Sequence, residues 1–266
     1  MWAIYGLYAQ CAWPTAGFEP ALVMGILNAT PDSFYADSRQ QTEGDIALCC
    51  SQMLSDGAAI IDVGGCSTRP GGEVASEAEE MERLRMALTV VRREQPEAVI
   101  SVDTFRPDVA RMAVEEFGAD IINDVSGGTP EMFRMVTRLR VPYILMSLQP
   151  TMREMLLSFA EKVQQLRDMG ANDIILDPGF GFGKTLEQNY EIMNELEKLL
   201  VMELPLLVGI SRKSMIYRLF DCTPQQALNG TTALDIIALM KGASILRVHD
   251  VKEAMECVRI VQQLNC

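Results

Sequence analysis

Short apolar runs alternate with longer amphipathic stretches eight times along this chain of 266 residues, and no other feature constrains its fold as strongly. The runs Leu22–Leu27, Ala59–Val63, Val99–Val102, Asp120–Ile122, Tyr143–Met146, Asp173–Leu176, Leu206–Val208 and Ser244–Arg247 each read as a short buried strand. Between them, stretches such as Ser76–Glu94, Pro107–Phe117, Met152–Met169, Asn189–Leu200, Pro224–Lys241 and Asp250–Gln263 have the spacing of helices. Ser76 stands three residues before Glu79, as in a capping box, and Pro107 and Pro224 suit first-turn positions. Eight β/α units without a long polar linker predict an α/β fold, a single (β/α)8 TIM barrel occupying residues 1–266 as one domain. An open doubly wound sheet fits less well. It needs fewer strands and a phosphate-binding glycine loop after the first strand, where this chain has Asn28-Ala29-Thr30-Pro31. The first twenty residues are expected to be an N-terminal extension, either a strand or a cover over the closed end of the barrel.

At 48% hydrophobic residues the chain can fill one large core, and its net charge of −13 argues against nucleic acid or an anionic membrane as partner. An acidic protein that binds an anion needs a local basic cluster. No apolar run reaches the ~18 residues of a membrane span. The apolar N-terminal stretch has no basic residue before Arg39, so it is not expected to be a secretory signal. Seven cysteines, an odd number without Cys-x-x-Cys spacing, read as reduced thiols in a cytoplasmic protein. Cys266, the last residue of the sequence, is not expected to be a prenylation site, which would stand four residues from the end.

Asp177-Pro178-Gly179-Phe180-Gly181-Phe182-Gly183-Lys184-Thr185 places a carboxylate at a strand exit, followed by three glycines spaced two apart. Such a loop suits close approach of backbone to a flat ligand. Reading the other exits gives Asn28, Asp62, Asp103, Asn123, Lys213, and Arg247 with His249. Each alone fits a structural role, such as capping a helix or tying a loop. Together, on the barrel face that carries catalytic loops, they predict a polar pocket. Asp103, Asn123 and Asp177 offer acceptors and donors suited to the amino-pyrimidine edge of a planar heterocycle. Lys213, Arg247 and His249 form the local basic cluster. The segment Ser211-Arg212-Lys213-Ser214 opens a helix after the seventh strand, a habitual phosphate position in such barrels. Cys66-Ser67-Thr68-Arg69-Pro70-Gly71-Gly72 adds hydroxyls and another guanidinium, as a loop closing over an anion or as a plain Pro-Gly turn. Gly183-Lys184-Thr185 is not a P-loop, because Pro178 stands where that motif needs its first glycine.

These blocks resemble dihydropteroate synthase over about Leu22 to Ile260. The resemblance is carried by Met24–Phe34, Asp62–Gly65, Ser67–Gly71, Asp177–Thr185 and Gly209–Ser214, with Ser101–Thr104, Ile122–Gly127 and Arg247–Asp250 in support. It implies a β/α barrel that joins p-aminobenzoate to 6-hydroxymethyl-7,8-dihydropterin pyrophosphate and releases pyrophosphate. By match to the family motifs, Asp103, Asn123, Asp177 and Lys213 hold the pterin, with Lys213, Asp103 and Asp177 catalytic. Asn28, Thr68, Arg247 and His249 hold the pyrophosphate, with Asn28 near Mg2+. Arg69 and Ser211 belong to the substrate-binding loops. Pro70, Phe182, Lys213 and Ser214 line the aminobenzoate site, where sulfonamides compete in the family. The resemblance also implies a homodimer.

Three segments depart from the family pattern. After Pro31-Asp32 the chain reads Ser33-Phe34-Tyr35-Ala36-Asp37-Ser38-Arg39, without the usual Ser-Phe-Ser-Asp-Gly-Gly. Cys66 replaces a common glutamate. Met146-Ser147-Leu148-Gln149-Pro150-Thr151-Met152 is shorter than usual and lacks the family's histidine. Two other readings remain: a methyltetrahydrofolate:corrinoid methyltransferase-like barrel, which needs no pyrophosphate cluster, and a non-catalytic pterin-binding paralogue.

Overall fold

Eight parallel strands are hydrogen-bonded in the order β6-β5-β4-β3-β2-β1-β8-β7. They are β1 (Leu22–Asn28), β2 (Ile60–Gly64), β3 (Val99–Asp103), β4 (Ile121–Asp124), β5 (Tyr143–Met146), β6 (Ile174–Asp177), β7 (Leu207–Val208) and β8 (Ile245–Val248). A bridge between Leu176 of β6 and Leu206, just before β7, brings the two edges together into a nearly closed (β/α)8 barrel. The structure, a computed structural model, describes residues 20–29, 43–66 and 75–264. The expectation for the first twenty residues lies almost entirely outside that range, as do the altered segment after β1 and the loop carrying Thr68, Arg69 and Pro70.

Helices α1 (Glu43–Ser55), α2 (Glu77–Glu94), α3 (Pro107–Phe117), α4 (Pro130–Leu139), α5 (Met152–Asp168), α6 (Leu186–Asn194), α7 (Ser214–Tyr217), α8 (Leu228–Met240) and α9 (Val251–Leu264) follow their strands. Local chemistry sets their starts. The Ser76 hydroxyl accepts from Glu79 N–H while the Glu79 carboxylate accepts from Ser76 N–H at 2.8 Å. Thr129 and Thr151 cap α4 and α5, and Pro107 and Pro130 sit in first turns.

Two expected helices differ from the sequence reading. Asn189–Leu200 is instead α6, begun earlier by a Thr185/Gln188 capping box, followed by a 3-10 segment, Leu196–Met202. Pro224–Lys241 is a 3-10 turn, Pro224–Gln226, and then α8. The Arg212 side chain takes the carbonyls of Pro224 and Gln225, which a continuous α-helix would use internally.

Inside the barrel, side chains stack in layers with the period of two that strands impose. Met24, Ile60, Val99, Ile121, Ile144, Ile175, Leu207 and Ile245, one per strand, form a buried apolar layer. Two residues further on, the same inward parity brings Ile26, Asp62, Ser101, Asn123, Met146, Asp177, Gly209 and Arg247. A polar layer therefore rests on an apolar floor. Outside the strands a second, larger apolar cluster joins them to the helices. Gly25 lets α1 approach β1, since a Cβ there would meet Met53 Sδ at 2.8 Å.

The floor is where stability concentrates. Ile144 is fully buried within it, so Ile144→Ala should lower unfolding free energy by about 2–5 kcal/mol. Urea denaturation would show this as a lower midpoint at unchanged slope.

Candidate active site

The inward residues of the polar layer make one connected ion cluster. Asp62, in the middle of β2, is fully buried. Its Oδ2 accepts from Arg247 Nε at 2.7 Å and from Asn123 Nδ2 at 3.1 Å. Arg247 Nη2 donates to Asp103 Oδ2 at 2.7 Å. Asp103, the last residue of β3, pairs in register with Asn123 of β4. It does not cap α3, whose N-cap is Arg106. Asn123 faces inward, while its neighbour Asp124 ties down a loop, accepting from Ser126 N at 2.7 Å and Tyr143 Oη at 2.6 Å.

Reading Asp62 as a strand-exit residue needs correction. The strand runs on to Gly64, which places Asp62 one layer below the mouth, beneath Asp103 and Asn28. Lys213 lies beyond β7 at the N-cap of α7, where the segment Ser211–Ser214 opens a helix as the sequence suggests. That helix has only four residues, so its dipole adds less than a full helix would.

Asp177 ends β6, and its Oδ1 accepts from Gly179 N at 2.7 Å. The glycine loop then adopts left-handed backbone at Gly179, Gly181 and Gly183. At Gly179 a Cβ would come within 2.2 Å of the Ser147 carbonyl oxygen, so no side chain fits. Lys184 braces this turn by donating to the carbonyls of Ser147, Gly179 and Phe182 at 3.0, 2.9 and 3.3 Å. The Lys184 ammonium therefore holds backbone in place, a role the sequence reading missed when it set the Gly-Lys-Thr triplet aside. The shortened segment after β5 is thereby fixed to the glycine loop.

Lys213 Nζ donates to the Phe180 carbonyl at 2.6 Å and lies 4.7 Å from the centre of the Phe182 ring. Its neighbour Arg212 adopts a left-handed backbone. It makes a two-pronged pair with Asp250, both bonds at 2.8 Å, which ties the β7 loop to the β8 loop. Ser211 and His249 meet across these loops, with Ser211 Oγ 3.1 Å from His249 Nδ1. His249 is exposed, whereas Ser211 is buried and Ser214 half-buried. Asn28 is half-buried at the end of β1, and its Oδ1 would lie 3.3 Å from a Cβ placed on Gly64. The structure thus brings together Asn28, Asp103, Asn123, Asp177, Phe182, Ser211, Lys213, Ser214, Arg247 and His249 at one end of the barrel.

Burial disfavours charge here, and each group answers according to its neighbours. Asp103 is pushed up to about 7 by burial, with Arg247 opposing and Asp62 reinforcing the rise. Burial also raises Asp177, against the pull of Lys213. Lys213 is lowered to about 8 by burial, with Asp177 opposing. Burial works against the Arg247 charge as well, but Asp62 and Asp103 outweigh it and hold the guanidinium above its usual range. The mouth therefore carries acceptors on β3, β4 and β6 and cations on the loop after β7 and on β8. That distribution suits a ring presenting N–H groups with an anionic tail.

The pterin binding enzyme family matches residues 24–249. Dihydropteroate synthase of Bacillus subtilis (strain 168) is 39% identical over 256 residues, covering 92% of this chain and 89% of that protein. The Coxiella burnetii dihydropteroate synthase in complex with pteroic acid superposes with a TM-score of 0.85 at 33% identity, covering 94% of each chain. The Yersinia pestis dihydropteroate synthase with a sulfonamide drug complex gives a TM-score of 0.85 at 38% identity, covering 92% of this chain and 94% of that one. With its ion cluster, braced glycine loop and matched length, this chain belongs to the pterin-binding enzymes and, among them, to the dihydropteroate synthases.

Proposed function

We propose that this chain is a transferase of folate biosynthesis, condensing 6-hydroxymethyl-7,8-dihydropterin pyrophosphate with p-aminobenzoate to give 7,8-dihydropteroate and pyrophosphate. The observation that carries this reading is the juxtaposition of Asp103, Asn123 and Asp177 with Lys213 and Arg247 at the barrel mouth. The carboxylates accept the N–H groups of the pterin's amino-pyrimidine edge, and Lys213 faces its carbonyl. Arg247, His249, Ser211, Thr68 and Arg69 receive the pyrophosphate. Phe182, Pro70 and Ser214 line the place of the aminobenzoate ring, where a sulfonamide would compete.

Chemically, the bond between the pterin methylene and the pyrophosphate oxygen breaks, and its electron pair leaves with the pyrophosphate. Positive charge grows on the pterin. Buried carboxylates fixed beforehand stabilise that charge, which is where preorganised electrostatics act most strongly. The aniline nitrogen then attacks the methylene and loses a proton, so no protein nucleophile is required. Mg2+ fits this arrangement as a companion of the pyrophosphate rather than as the occupant of a protein cage. Asn28 Oδ1 is a hard oxygen donor beside the bare Gly64, and among the described residues no group of three or more His, Cys, Asp or Glu side chains is placed to hold a metal ion. Asn28 would hold the ion, which would neutralise leaving-group charge.

We read the whole chain as one pterin-binding domain working in the cytoplasm. Cys49, Cys50, Cys222 and Cys257 are free thiols, which suits a reducing compartment. Among the described residues no helix is long and apolar enough to cross a membrane. Homodimerisation is supported by Phe220, Ile237, Met240 and Ile260, large apolar side chains left exposed around α8 and α9.

Pyrophosphate release dependent on p-aminobenzoate tests the reaction directly. Lys213→Ala should reduce kcat/KM roughly 10²–10³-fold, the scale of one lost electrostatic contact. Tight pterin binding with no pyrophosphate release by the wild type would sink the proposal. The rate should also follow a bell in pH. Asp103 must be ionised to accept an N–H, so activity rises through its value of about 7. Lys213 must be charged, so activity falls above about 8. A kcat/KM profile measured from pH 5 to 10 checks both limbs. Finally, Met240→Glu should shift the protein from dimer to monomer in sedimentation velocity, with the circular dichroism of the barrel unchanged.

A further inference from the structure

Asp62 takes no part in the reaction as proposed, yet it occupies the centre of the polar layer. The residue is 0% exposed, and in register it lies between Ile26 of β1 and Ser101 of β3, below the residues that meet the ligand. A single oxygen, Oδ2, receives both Arg247 Nε at 2.7 Å and Asn123 Nδ2 at 3.1 Å. It thus links β2 to β4 and to β8. Burying an ion is costly, and apolar residues of similar volume would pack on this floor without that cost. A site that retains such a charge has a geometric use for it.

We propose that Asp62 is a positioning residue for the proposed reaction. Its carboxylate, below the pocket, sets which way the Asn123 amide faces and holds the Arg247 guanidinium in place.

The chemistry of the groups gives this its specificity. An ionised carboxylate only accepts hydrogen bonds. It therefore selects the nitrogen end of the Asn123 amide and leaves Oδ1, a buried acceptor without a protein partner, for the pocket. An acceptor at that point complements the N–H groups of a pterin edge. With the amide turned over, a donor would meet a donor. Arg247 is fixed in the same way. Asp62 holds its Nε and Asp103 holds one terminal nitrogen, Nη2, so the plane of the fork is set by two strands. One terminal nitrogen, Nη1, then remains to meet an anion at the mouth. Asp62 also lies beside Ser101, whose Oγ is buried and has no protein partner, so this side of the layer is not simply a packed core.

The inference rests on the proposed pterin chemistry, and the test separates the two. Asp62→Asn preserves size but can present a donor to Asn123. The expected result is a dissociation constant for 6-hydroxymethyl-7,8-dihydropterin raised about 10–100-fold, the scale of one lost hydrogen bond to a charged group. It comes with kcat reduced about tenfold and the KM for p-aminobenzoate within about twofold of wild type, in a variant that remains folded by circular dichroism. Asp62→Glu keeps the charge but displaces the oxygens by a methylene, and it should raise the same dissociation constant by a smaller factor. Pterin affinity within threefold of wild type in both variants would overturn the proposal. So would equal losses toward both substrates, or failure of both variants to fold, since each outcome assigns Asp62 to stability alone. Wild-type protein that binds the pterin without releasing pyrophosphate would instead defeat the proposed reaction, and the pterin dissociation constants would still decide the role of Asp62.

Discussion

A guanidinium gripped by two carboxylates at the heart of the barrel is the interaction on which the rest of this site depends. Arg247 reaches from β8 to Asp62 on β2 and Asp103 on β3, with its side chain 16% exposed. Such a cluster is a poor source of stability, because the desolvation of each ion offsets most of the attraction between them. Removing one member, however, leaves an uncompensated buried charge. The arrangement is therefore rigid in composition while contributing little to the folding free energy. Stability must come from elsewhere, namely the apolar floor of eight inward side chains and the larger apolar cluster between strands and helices.

That division follows from strand geometry. Successive inward residues on one strand are two apart, so a strand reading Ile60-Ile61-Asp62 puts Ile60 in the floor and Asp62 directly above it, while Ile61 packs outward against the helices. The glycine loop after β6 applies the same logic in backbone rather than side chains. The left-handed Gly179 lets the chain lie close over the Ser147 carbonyl, and the Lys184 ammonium donates to the carbonyls of Ser147, Gly179 and Phe182. Burial lowers Lys184 to about 8, with Asp177 opposing, and its three hydrogen bonds to backbone keep it in this bracing role.

Much of this was legible in the sequence, for physical reasons. Strand positions follow from short apolar runs, and the polar residues ending several of those runs place the site at the barrel mouth. Asn123 and Asp124 illustrate where reading stops. Two adjacent polar residues at a strand end look interchangeable in sequence, and only the parity of the strand shows that one faces the pocket while the other ties a loop through Tyr143. Asp62 was legible as polar but not as central, because its depth depends on where β2 ends. A charged residue inside Ile60-Ile61-Asp62-Val63, at the same parity as the floor, was the available signal. Helix ends after β6 and β7 were misjudged because long-range contacts decide them. Arg212 reaching the carbonyls of Pro224 and Gln225 is invisible to any local window.

The ion cluster also links the two halves of the proposed reaction. In the structure, the pocket is nearly self-neutralised: Asp103 is bonded to Arg247, and Asp177 is bonded to the Gly179 backbone with Lys213 beside it. Under the proposed function, a pterin edge that enters would compete for Asp103, offering N–H groups where the guanidinium had offered its own. Whatever hold Asp103 then relaxed on Nη2 would become available to the pyrophosphate carried by the same substrate. Asp62 would keep its hold on Nε, so the guanidinium would be released at one end without being set adrift. In the proposed reaction, pterin recognition and leaving-group neutralisation would thereby be linked through one side chain, a use for a costly buried charge cluster in a barrel that could otherwise have been packed with isoleucine.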